Sequence, residues 1–153
     1  GLPYVISNCS NNYGPGQHNE KLMPTVIRSV EQKAPIPVYG TGANVRDWLY
    51  VADHVAAIDT ILHKGEAFQT YCIGGGTELS NLKLVELLIA EVDIQLGREK
   101  GASTSLIQFV TDRKGHDFRY AIDYSKLTAT LGWKPSTSLA EGLSKTVSWY
   151  LNR

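Results

Sequence analysis

Short runs of β-branched and aromatic residues alternate along this chain with longer stretches of helical apolar period, which predicts strands and helices taking turns. Leu2–Cys9 reads as a strand, and the Asn-, Gly- and Pro-rich segment Asn8–Asn19 as a loop long enough to be functional. Glu20–Lys33 reads as a helix that tolerates Pro24 near its first turn, where the missing N–H costs little. Pro37–Tyr39 and Val45–Val51 read as short strands around the Gly40-Thr41-Gly42 turn. Asp53 is placed as the cap of the next helix, whose Val55, Ile58, Ile61 and Leu62 fall on one face before Gly65 ends it.

Gln69–Ile73 is a further strand, and Gly74-Gly75-Gly76 leads from it toward an amphipathic helix over Asn81–Leu96. Strand, glycine loop and helix in that order suggest a phosphate cradle, yet Thr77, Glu78 and Leu79 follow the glycines and G-x-G-x-x-G is not met. Ile107–Val110 is another strand, and Asp123 caps a helix that stops at Gly132. Ser138 with Glu141 three residues on forms a capping box, and Leu139, Leu143, Val147 and Leu151 form the buried stripe of the last helix. The class is α/β.

Composition narrows the field of partners. The 153 residues, 42% hydrophobic and 20% charged, have the makeup of one globular unit. Fifteen acidic against fifteen basic residues leave no broad basic face for nucleic acid or an anionic membrane. No apolar run approaches the roughly 18 residues of a membrane span. The opening Gly1–Ile6 lacks the basic region of a signal peptide, so a cytoplasmic setting is the default expectation. Cys9 and Cys72 lie far apart in apolar, strand-like segments and read as buried thiols. His18, His54 and His63 lack metal-ligand spacing and read as surface or capping residues.

Several polar residues stand where chemistry can be argued. Arg46 lies in or beside a strand, where its planar fork can grip a diphosphate with two N–H bonds; the alternative is a salt bridge to Asp47 or Asp53. Asp47 and Trp48 read as structural. Asn11 and Asn12 occupy the loop beyond the first strand, where ligands of α/β sheets collect, though asparagine is also a common turn former. Tyr39 offers a stacking face and a hydroxyl. Asn81 can cap the helix that follows or bond a ligand. Arg113 and His116 stand in a polar loop where Gly115 eases close backbone approach.

Taken together, Asn11-Asn12-Tyr13-Gly14-Pro15, Glu20-Lys21-Leu22, Arg46-Asp47-Trp48-Leu49-Tyr50-Val51 and Asp112–Asp117 resemble the substrate-binding part of an extended short-chain dehydrogenase/reductase, nearest to the dTDP-glucose 4,6-dehydratase family. The resemblance implies the C-terminal portion of a Rossmann-type NAD(P)-binding fold with a small, mostly helical substrate-binding lobe. Residues 1–19 would be the last part of the nucleotide-binding sheet with its active-site loop, and 20–153 the substrate-binding region. It further implies that Asn11, Lys21 and Leu22 meet the sugar nucleotide, that Pro37, Val38 and Tyr39 lie against the thymine base, and that Arg46 contacts the diphosphate. Asn81 would bond the nucleotide, Arg113 and His116 the diphosphate and ribose, and Asn12 would approach the NAD cofactor. Two departures stand out: Lys114 occupies a place where the family usually has proline, which bears on the shape of its loop, and Gly16–Asn19 replaces a more aromatic segment, which bears on sugar specificity.

The glycine-rich first turn, the Tyr-x-x-x-Lys pair and the Asp-Glu pair of such enzymes do not occur here, since none of the eight tyrosines has a lysine four positions later. The expectation is therefore a segment with no catalytic residue of its own, inactive alone, with the main NAD site outside it. A homodimer is expected of the full enzyme, and self-association of this chain through an open sheet edge. A UDP-sugar epimerase or decarboxylase, and a non-catalytic sugar-nucleotide-binding module, are the alternative readings.

Overall fold

In the computed structural model, which describes residues 1–153, β4 (Val45–Tyr50) is the wall between two cores. Its side chains alternate: Trp48 and Tyr50 enter a core of 16 buried residues, and Leu49 enters a second core of 7. The larger core takes its apolar faces from three helices, α1 (Leu22–Gln32), α3 (Asn81–Gln95) and α5 (Leu139–Leu151). The smaller is built by α2 (Val51–Lys64), β5 (Thr70–Ile73) and α4 (Ser125–Leu131).

Three small sheets connect these layers. β1 (Ile6–Cys9) pairs in parallel with β5 alone, and β3 (Ile36–Tyr39) with β7 (Ile107–Val110). β4 is flanked in parallel by β2 (Asn11–Tyr13), and its first residues pair with β6 (Glu78–Ser80) and β8 (Arg119–Tyr120). Parallel pairs joined through helices are the mark of an α/β fold, as the pattern of the chain predicts.

Most predicted elements form, with informative differences. β2, β6 and β8 are too short for any periodicity to show; β2 forms inside the predicted loop because Asn11–Tyr13 register with Trp48–Tyr50. α1 begins at Leu22, leaving Pro24 in its first turn, and ends at Lys33, whose φ of 54° is left-handed. Of the face expected of α2 only Ile61 is buried, beside Asp53 and Ala57, while Val55, Ile58 and Leu62 are exposed. Asp53 is no cap either. Its carboxylate accepts from Ser136 Oγ at 2.7 Å and Thr137 N at 3.0 Å, tying α2 to the segment before α5.

The capping box at α5 is half formed. Ser138 Oγ accepts from Glu141 N, but the Glu141 carboxylate pairs with Lys145 at 2.7 Å. Gly132 ends α4 with φ 72°, and Asp123 accepts from Ser125 N at its start. Gly142 in α5 is obligatory for packing, because a Cβ there would collide with the Tyr13 hydroxyl. Cys9 and Cys72 are only half-buried, against expectation, because β1 has few neighbours beyond β5. No helix is long and apolar enough to cross a membrane.

Candidate functional site

A cleft of about 560 Å³ opens where the first turn of α1, the ends of β3 and β4 and the start of α3 converge, with the 112–117 loop across it. Each element delivers a side chain for a local reason. In β3, the strand pleat turns Ile36 and Val38 inward and Pro37 and Tyr39 outward, so Pro37 and Tyr39 line the cleft. Val38 is only 2% exposed, and its side chain belongs to the core rather than to the cleft lining. At α3, Ser80 takes the capping role by accepting from Lys83 N, and the neighbouring Asn81 is thereby free to line the cleft.

Ten of the eleven residues singled out in the sequence share this lining: Asn11, Asn12, Lys21, Leu22, Pro37, Tyr39, Arg46, Asn81, Arg113 and His116. Gln17, Glu20, Met23, Thr25 and Trp48 join them unannounced. Trp48 serves both core and cleft, and its buried indole N–H has no hydrogen-bond partner. Gln17 is held there by contacts that no local pattern reveals. Its amide donates to Asn12 O at 2.8 Å, and its own carbonyl accepts from Tyr150 Oη, 133 residues away, at 2.6 Å.

The electrostatics of the cleft favour an anion. Arg46 donates to the carbonyls of Val45 at 2.7 Å and Asp117 at 2.8 Å and makes no salt bridge. Both carboxylates that might have neutralised it are engaged elsewhere: Asp53 with Ser136 and Thr137, Asp47 with the N–H groups of Gly75 at 2.8 Å and Thr77 at 2.9 Å. Carbonyl acceptors orient a guanidinium while leaving its full charge in place. Arg113 and Lys21 also lack a carboxylate partner, and Glu20 is the one acidic residue in the lining.

Asp47 also explains why the glycine loop is no phosphate cradle. Its carboxylate already occupies the loop's N–H groups, as a built-in anion. Gly75 is required there for another reason, since any Cβ would strike the carbonyl of Trp48.

Over the mouth, the Arg113 guanidinium sits 5.2 Å from the Tyr39 ring centroid and its Nη2 meets His116 Nε2 at 3.0 Å. Arginine only donates, so this His116 nitrogen accepts and the other, Nδ1, donates to Asp112 Oδ1 at 2.6 Å. That hydrogen bond, helped by the Arg113 N–H and the nearby positive charge, holds Asp112 below the usual carboxylate range. The loop and β3 thus present a cation and an aromatic ring side by side, a pairing suited to a planar base joined to a phosphate.

His54, read from sequence as a surface or capping residue, is instead half-buried and bonded through Nδ1 to Asn12 Oδ1 at 2.8 Å. Burial pushes its pKa below the ordinary value.

Residues 1–146 match the family model described as GDP-mannose 4,6 dehydratase. The dTDP-glucose 4,6-dehydratase of Xanthomonas campestris pv. campestris (strain ATCC 33913) is 50% identical over 152 residues, covering 99% of this chain and 43% of that protein. The crystal structure of DesIV, a dTDP-glucose 4,6-dehydratase from Streptomyces venezuelae with NAD bound, superposes with a TM-score of 0.86 at 42% identity, over 97% of this chain and 44% of that one. The Bacillus anthracis dTDP-glucose 4,6-dehydratase in complex with NAD gives 0.84, also at 42% identity, over 97% and 44%. The chain therefore spans less than half the length of the relatives it matches. From its family model, its fold and the residues gathered in its cleft, the chain belongs to the GDP-mannose 4,6 dehydratase family.

Proposed function

We propose that this chain is the sugar-nucleotide-binding portion of an NAD-dependent dTDP-glucose 4,6-dehydratase, the enzyme that converts dTDP-glucose to its 4-keto-6-deoxy form with loss of water. The observation that carries the reading is a cleft with three cationic side chains, Lys21, Arg46 and Arg113, none paired with a carboxylate, beside the exposed ring of Tyr39. A diphosphate supplies the missing negative charge, and a pyrimidine base meets Tyr39. Similarity to dTDP-glucose 4,6-dehydratases over nearly the whole chain supports the choice of sugar nucleotide.

In this reading Arg46 and Arg113 grip the diphosphate, with His116 at the ribose and Asn81 on the nucleotide. Pro37 and Tyr39 flank the base, and Asn11, Lys21 and Leu22 orient the sugar. NAD, when bound, supplies the hydride chemistry of the whole enzyme. The residues of this chain do not make a site for it: the glycine loop's N–H groups serve Asp47, and both Asn12 amide hydrogens point to internal acceptors. Asn12 keeps one Oδ1 lone pair with which to accept a single bond from the cofactor. The contribution of these residues is binding and orientation, which lowers the barrier by proximity.

Residues 1–19 belong, in the same reading, to the nucleotide-binding sheet and the remainder to the substrate-binding region. The setting is the cytoplasm and the full enzyme is a homodimer. Titration of the purified chain with dTDP-glucose, UDP-glucose and buffer tests the proposal. Binding is expected with dTDP-glucose the tighter ligand; no binding of either sugar nucleotide would overturn it.

A further inference from the structure

Asn12 is the point where the end of β1, strand β2, helix α2 and the 14–19 loop meet. Its Nδ2 donates to Ser10 O at 3.1 Å and lies 3.4 Å from Cys9 Sγ. The Ser10 carbonyl can only accept, so turning the amide over would set oxygen against oxygen; the orientation of this side chain is fixed by its surroundings. Oδ1 therefore faces His54 Nδ1 at 2.8 Å, and because an amide oxygen only accepts, Nδ1 must carry the proton. Neutral His54 is then the Nδ1–H tautomer with an open lone pair on Nε2. The depression of its pKa by burial agrees with the neutral form.

The same residue's backbone carries the cleft wall. The Asn12 carbonyl accepts from Gln17 Nε2 at 2.8 Å, and Asn11, its neighbour in β2, pairs with Trp48 of β4. Asn11, Gln17 and Trp48 all line the cleft. His54 touches that wall through Asn12: remove its N–H and Oδ1 of Asn12 loses its donor in a half-buried place, and the amide is held at one end only.

We propose that His54 is a positioning residue: its Nδ1–H fixes the Asn12 amide and thereby holds Asn11 and Gln17 at the height from which they meet the sugar of a bound sugar nucleotide. The inference rests on the functional reading above for what occupies the cleft. It separates His54 from Arg46 and Arg113, which act on the nucleotide end, and it assigns His54 no contact with the ligand.

The test compares the affinities of the 153-residue chain for dTDP-glucose and for dTDP, whose ratio measures what the sugar adds. His54→Ala should lower that ratio about threefold to tenfold, the span of one net hydrogen bond, with dTDP affinity itself unchanged. His54→Asn keeps an N–H where Nδ1 stands and should restore the ratio. Alanine is the better helix former, so a purely structural role in α2 would favour the alanine variant. A ratio unmoved by His54→Ala, or asparagine no better than alanine, overturns the role. NMR of the histidine ring in the unmodified chain is a second readout that no folding failure can obscure. The Nδ1–H tautomer is expected, and the Nε2–H tautomer overturns the proposal. If the unmodified chain binds no dTDP, the functional reading falls and this role with it, whereas normal binding with an unchanged ratio removes His54 alone.

Discussion

The two sides of β4 are finished to different degrees. On the side of Trp48 and Tyr50, three helices close a 16-residue core, and the cleft is cut into its rim. On the side of Leu49, the core holds 7 residues, and beyond it α2 turns Val55, Ile58 and Leu62 to solvent while β1 exposes Ile6. β1 pairs with β5 and with no other strand. The first side is built like the interior of a stable domain, which suits a site whose side chains must be held in place. The second leaves an apolar stripe and an open strand edge exposed.

Stability measurements sharpen this contrast most. Leu88, fully buried in the larger core, should cost about 2–5 kcal/mol when changed to alanine. Leu62→Ala, on the exposed stripe, should fall within about 0.5 kcal/mol of the unmodified chain. Urea unfolding of both variants decides, and equal losses would mean that the stripe is packed after all.

Association comes next. The open side predicts that the chain forms dimers or larger species, and that Ile58→Glu together with Leu62→Glu shifts the mass in light scattering toward the monomer. A chain that is monomeric over a wide concentration range, or a mass unmoved by the two charges, would contradict it.

A smaller effect joins the two sides. At Asp53, burial pushes the carboxyl upward, but the hydrogen bonds from Ser136 and Thr137 together outweigh it and hold its pKa below the ordinary value. A depressed carboxyl contributes stability above its unfolded pKa of about 3.9, and that contribution is lost as pH falls through the lower folded value. Asp53→Asn should therefore flatten the acid side of the stability profile, read as thermal midpoint against pH, with little change in slope near neutrality. An unaltered acid limb would show that the Asp53 link carries no charge-dependent stability.

What the sequence revealed follows the reach of each signal. Long periodic segments such as α3 and α5, with Ser138 and Gly132 as local punctuation, were legible because the residues that decide them are neighbours. The Arg46 segment and the asparagine pair identified the cleft through motif, and all but Val38 of the singled-out side chains line it. The Val38 side chain turns into the core, a distinction that the strand pleat carries and a three-residue motif does not. On α2 only Ile61 of the expected apolar face is buried, because Asp53 turns inward to partners 83 and 84 residues away. His54 and Gln17 escaped for the same reason: each owes its place to a contact across the fold, with Asn12 and with Tyr150.

The central claim is that the cleft holds its ligand by the charge of an arginine oriented on carbonyls and left unpaired. Calorimetric titration of dTDP-glucose into the chain and its Arg46→Ala variant tests it most directly. The variant should bind about 1.5–3 kcal/mol more weakly, the scale of a charge-assisted hydrogen bond. Equal affinity in the two proteins would remove Arg46 from the site and contradict the account.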